Sequence, residues 1–213
     1  MTIRNTNDQG TGAYAVATSG FVLFDNMDSD PTNNGFGVLG KMSFANGSIA
    51  ANFYSGNIAA IQSGFQQFST PFTLDSTGFA GAFLDSRSAS TKASENGFGG
   101  SSIYVWIYKG ASIAAATEHL IIQLSNSFPT DPEVGTPLSA NAFVRPTDGA
   151  QVIVGGAGNF SFDYGGGSGP LPGYNTVPVV PEAATVLLIA YGFLHWGLVR
   201  RRGRFSTAPP TPA

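Results

Sequence analysis

The stretch SIYVWIYKG, residues 102–110, constrains the fold more than any other part of the chain. Side chains alternate across a strand, so Tyr104, Trp106 and Tyr108 share one face and Ile103, Val105 and Ile107 the other. Both faces are apolar. Such a strand has to be central in its sheet, with a layer packed on each side of it.

The surrounding sequence fits that requirement. GFVLFDN, FGVLGKMSF, IAANFY, GAFLDS, EHLIIQLS, QVIVGG and NFSFDYG read as further short strands, separated by Gly, Asn, Asp and Pro. Charged residues make up 11% of the chain, against about 25% in a typical soluble domain. One segment breaks the pattern. In GNIAAIQSGFQQFST, Ile58, Ile61, Phe65 and Phe68 recur at steps of three and four, which predicts a short helix. ASIAAATE, after the central strand, predicts one more helical turn. The expected class is all-β: a β-sandwich or jelly-roll-like domain with one short helix over residues 1–164. The stretch 165–178, GGGSGPLPGYNTVP, reads as a Gly/Pro linker.

Catalytic and ligand-binding signatures are sparse. There is no cysteine, so disulfides, thiolate catalysis and Cys-based metal sites are excluded. His119 is the body's one histidine, and a lone strand histidine is expected to be structural. The glycines of GGAGNFSFDYGGGSG lack the Lys-Ser/Thr of a phosphate loop, and no G-x-S-x-G elbow is present. Asp25, Asp28 and Asp30 crowd an Asn-rich loop that fits either a calcium site or plain Asx-turn chemistry. Neither a cofactor nor a metal is assigned, and no enzyme activity is expected. Four of the ten basic residues are Arg200, Arg201, Arg202 and Arg204; residues 1–178 keep six basic against twelve acidic, near −6. An acidic body with no basic patch argues against nucleic acid as a partner.

The arginines close a different kind of segment. Residues 183–199 carry no formal charge other than what His195 can acquire. As a helix they cover ~25 Å, at the short end of what crosses a hydrocarbon core about 30 Å thick. A helix apolar all round is deeply buried or membranous, and the arginine cluster directs the body to the far side of the membrane. A single C-terminal transmembrane helix at about 183–199 is therefore expected, with a disordered tail at 205–213.

Residues 179–204, VVPEAATVLLIAYGFLHWGLVRRRGR, resemble the PEP-CTERM sorting signal of Gram-negative bacteria that make exopolysaccharide. The sorting motif matches at Val180, Pro181 and Glu182, and the stop-transfer cluster at Arg200, Arg201, Arg202 and Arg204. Ala183 stands where that family has a second proline, and FSTAPPTPA follows the arginines. The body segment YVWIYKGASIAAATEHLIIQLSNSFPTDP, with its turn at Phe128, Pro129, Thr130 and Asp131, is also similar to bodies of PEP-CTERM proteins. The resemblance implies export, transient anchoring in the inner membrane with the body outside the cytoplasm, and cutting near Pro181 and Glu182 by an exosortase. The destination would be the cell surface or extracellular matrix. Export needs a leader, which is expected upstream of Met1. The implied partners are the exosortase, the membrane and exopolysaccharide. The expected role is structural or adhesive; the alternative is a carbohydrate-binding module, with Tyr14, Tyr54 and Tyr164 as candidate sugar-stacking rings.

Overall fold

The computed structural model describes residues 2–4, 15–20, 23, 24, 26, 34–74, 81, 84–86, 97–130, 141–145, 148–163 and 168–179. Its main sheet is built on β3 (Phe36–Met42), β7 (Ser102–Lys109) and β8 (Glu118–Ser127), antiparallel neighbours in the order β8-β7-β3. β4 (Phe65–Gln67) and β5 (Phe72–Thr73) pair with β3, whereas β10 (Gln151–Val154) and β13 (Val177–Pro178) pair with β8. Two small sheets complete the β-structure. One joins β1 (Thr2–Arg4) to β6 (Leu84–Ser86) and β9 (Asn141–Phe143); the other joins β2 (Ala15–Ala17) to β12 (Ser168–Asn175) and β11 (Gly156–Asp163). With α1 (Asn46–Tyr54) and α2 (Ile58–Gly64), the class is all-β with two short helices among the described residues.

The central strand behaves as its alternation requires. Ile103, Val105 and Ile107 join Leu39, Leu120 and Ile122 in one buried cluster with Val16, Phe68, Phe72, Phe98, Phe128 and Tyr174. Tyr104, Trp106 and Tyr108 enter a second cluster, on the opposite face, with Ile49, Phe53 and Ile61 of the two helices. The sheet thus has a helical cover on one face and loop aromatics and small-sheet residues on the other.

β3 carries two glycines because two rings lie on its backbone. A Cβ on Gly37 would run into the ring of Phe72, its partner in register, and one on Gly40 would meet the ring of Phe65. Gly37→Ala should therefore cost about 1–3 kcal/mol through overpacking. A urea midpoint unchanged by that substitution would show that the Phe72 ring has room to move.

Three expectations change. IAANFY is the body of α1, not a strand. Ile49 and Phe53 lie four apart, so one helical face buries both, and Ser48 and Ile49 bond back to Ala45 at 2.9 and 3.1 Å. The predicted helix at 58–68 stops at Gly64. Asn57 caps it by accepting from the Ala60 N–H at 3.2 Å, and Phe65 starts β4. Phe65 and Phe68 then fall on opposite faces of the sheet, as a strand dictates. Finally, 165–178 is not simply a linker. β12 pairs with β11 along its whole length and with β2 over Gly173–Asn175. Pro170 and Pro172 lack an N–H, yet the β2 pairing starts only at Gly173, so on that side both prolines stand outside the ladder.

No helix among the described residues is long and apolar enough to cross a membrane. The apolar run 183–199 lies outside the described residues.

Candidate functional site

The body's last described residues are held by the start of β8. Val177 pairs with His119 and Pro178 with Glu118, and the Val179 N–H donates to the Thr117 carbonyl at 3.0 Å. Just before them, the Thr176 N–H donates to the Ala17 carbonyl at 2.9 Å. The Glu118 carboxylate ties these pieces together. It accepts the Thr176 hydroxyl and, at 2.6 Å, the Ser19 N–H, and lies 3.6 Å from the Lys109 ammonium. Partial burial raises the Glu118 carboxyl's pKa, but the hydrogen bonds from Thr176 and Ser19 and the charge of Lys109 outweigh it and hold the group below its ordinary value. A charged carboxylate thus pins the turn after β2, the hairpin base and the segment leading to Val179 at one point.

Next to it, His119 is fully buried. The Trp106 indole N–H donates to its Nδ1 at 3.0 Å, and Phe53 stands edge-to-face against the imidazole. Since Nδ1 is the acceptor, the ring is neutral with its proton on Nε2. That Nε2 has no hydrogen-bond partner among the described residues, and burial pushes the pKa down from 6.5 to about 4. This is a histidine built into packing, as expected of a lone strand histidine, and its accepting nitrogen is already committed.

At the other end of β7 a neutral polar cluster fixes the start of α1. The Tyr104 hydroxyl donates to Asn46 Oδ1 at 2.7 Å, and Asn46 Nδ2 donates to Gln123 Oε1 at 2.5 Å and Gln151 Oε1 at 3.1 Å. Nearby, a shallow depression of about 390 Å³ is lined by Lys41, Ser43, Ser63, Gln66 and Ser101. The Lys41 ammonium is used internally: it donates to the Gly97 carbonyl at 2.6 Å and sits 5.1 Å over the Phe98 ring.

Val180, Pro181, Glu182 and Arg200, Arg201, Arg202 and Arg204 lie outside the described residues, as do Asp25, Asp28 and Asp30. Among the described residues no group of three or more His, Asp or Glu is placed to hold a metal ion. Of the three candidate sugar-stacking tyrosines only Tyr54 is described, and it is 55% exposed at the end of α1. The Glu118 clamp was not apparent in the sequence. Its hydrogen-bond partners stand 58 and 99 residues away, and only the ion pair with Lys109 is local.

Comparison with protein-family models, with curated proteins and with solved structures found no match to this chain.

Proposed function

We propose that this is an exported cell-surface or extracellular-matrix protein, delivered by a PEP-CTERM-like tail that an exosortase cuts, with a structural or adhesive body of β-sandwich, jelly-roll-like form. The observation that carries the reading is the order of three parts in the tail: Val180-Pro181-Glu182, the apolar run 183–199, and the cluster Arg200, Arg201, Arg202 and Arg204. Each has a physical task. The run holds the chain in the bilayer, the arginines stay on the cytoplasmic side, and the short motif is presented beside the membrane for cutting. The body's own structure reaches the start of the motif, since Val177 and Pro178 pair with β8 and the Val179 N–H donates to Thr117.

A non-catalytic body fits the use made of its polar groups. His119 is buried against Trp106, and Glu118 is spent on the clamp. A sandwich is supported by the main sheet's second face, where Val16 of β2 and Tyr174 of β12 belong to the same buried cluster as Ile103, Val105 and Ile107. For the carbohydrate-binding alternative, Tyr54 is the exposed ring among the described residues, and a single ring is not by itself a platform. Retention with exopolysaccharide belongs to the proposed matrix role.

The test is the mass of the mature C-terminus in the native host. A chain ending near Pro181 and Glu182 is the expected result. A chain that keeps Arg200 to Arg204 would mean that the tail is a plain anchor and that sorting by cleavage does not occur.

A further inference from the structure

We infer that the end of the body formed by the β7–β8 hairpin tip, with Tyr54 beside it, rests on the lipid headgroups while the tail is in the membrane. The inference depends on the proposed reading of 183–199 as a membrane segment and adds the surface that meets the bilayer.

The tether between body and apolar run is short. Val179 is bonded to Thr117, and Val180, Pro181 and Glu182 alone separate it from the apolar run. Fully extended, that step covers at most ~14 Å. The headgroup layer of one leaflet takes up about 6 Å of it. While β13 stays paired with β8, Val179 can stand no more than about 8 Å above the headgroups. Whatever surrounds Thr117 is brought to the headgroups.

What surrounds Thr117 suits that place. The tip, residues 110–117, reads GASIAAAT and carries no charge. Ala111, Ala114 and Ala115 are exposed on it, while Ile113 turns inward under α1 and α2. The charges at its base, Lys109 and Glu118, face each other at 3.6 Å. On a body that is acidic as a whole, this is an end that an anionic leaflet does not repel. Tyr54 lies at the same end. α1 starts over Tyr104 and reaches His119 with Phe53, and the Tyr54 ring stands 5.4 Å from that of Phe53. A half-exposed tyrosine, apolar in its ring and polar at its tip, fits the headgroup level.

The absence of cysteine allows a clean reporter. A fluorophore is placed on Ala114→Cys at the tip, or on Ser63→Cys, which lies beside Ser101 at the far end of β7. The full chain is reconstituted in vesicles of phosphatidylethanolamine and phosphatidylglycerol, with and without headgroup spin-labelled lipid. The chain should float with the vesicles through an alkaline wash, lose most of its fluorescence to the spin label at position 114, and keep it at 63. Flotation with equal signals at both positions would overturn the inference. Failure to float would overturn the membrane reading, and the inference with it.

Discussion

Replacing Trp106 with alanine should remove a large part of the body's stability. Trp106 is fully buried at the middle of the central strand, with Phe65 edge-to-face against it at 5.4 Å between ring centres. Truncating a buried tryptophan to alanine costs about 3–5 kcal/mol. The same change leaves His119 Nδ1 without its donor in a dry site, which adds about 1–3 kcal/mol. Domains of this size hold roughly 5–15 kcal/mol in total, so a combined loss of about 4–8 kcal/mol takes a large share of it. Trp106→Phe separates the two contributions. It keeps an aromatic ring against Phe65 but still strips the indole N–H, and should fall between wild type and alanine. Urea midpoints of the intact chain in mild detergent make the comparison. A Trp106→Ala midpoint close to wild type would mean that the aromatic cluster on the helix face is not the core of the fold.

Acidification should weaken the body well before its carboxylates are reached. His119 has a folded pKa of about 4 against 6.5 when solvated. Because the folded value is the lower one, the unfolded chain binds the proton more readily between the two. The contribution of neutral His119 is therefore complete above pH 6.5, shrinks as the pH falls, and is gone below about 4. That difference in pKa amounts to about 3 kcal/mol. Protonation also sets an N–H on Nδ1 against the Trp106 donor, so charge burial and the lost hydrogen bond act in the same direction. Glu118 adds a second, lower window. Its folded pKa is depressed, so its share of stability is complete above the unfolded value of 4.5 and is lost as the pH falls from there through the lower folded value. His119→Gln isolates the upper window. Glutamine can still accept from Trp106 and does not titrate, so its stability should stay level between pH 7 and 5 while that of wild type declines. Equal slopes for the two proteins would refute a buried neutral His119.

Much of the fold was legible where a local pattern was strong. The alternation in SIYVWIYKG implied a doubly covered strand, and the two clusters meet on it as implied. Patterns that share residues with another element were read less well. IAANFY is six residues cut from a helix that begins at Asn46, and a window that short does not separate a period of two from one of 3.6. GGGSGPLPGYNTVP has the composition of a linker, yet Tyr174 within it is fully buried. Prolines can join a sheet where the side of the strand facing them has no partner, and composition does not report which side that is.

The sequence by itself determined what depends on order along the chain. It set the β class, the central strand, the lack of thiol chemistry, and the succession of motif, apolar run and arginines that underlies the proposed destination. Tertiary structure decided what depends on groups distant in sequence. Glu118 gains its role only when Ser19, Thr176 and Lys109 converge on it, and His119 only when the Trp106 indole closes on its Nδ1. The exit of the tail belongs to the same class. A pairing between Val177 and His119 turned an apparent spacer into a strand held against the body. Hydrogen bonds and burial are made across space at the cost of chain entropy, and a strand's pattern does not say which distant partner will repay that cost.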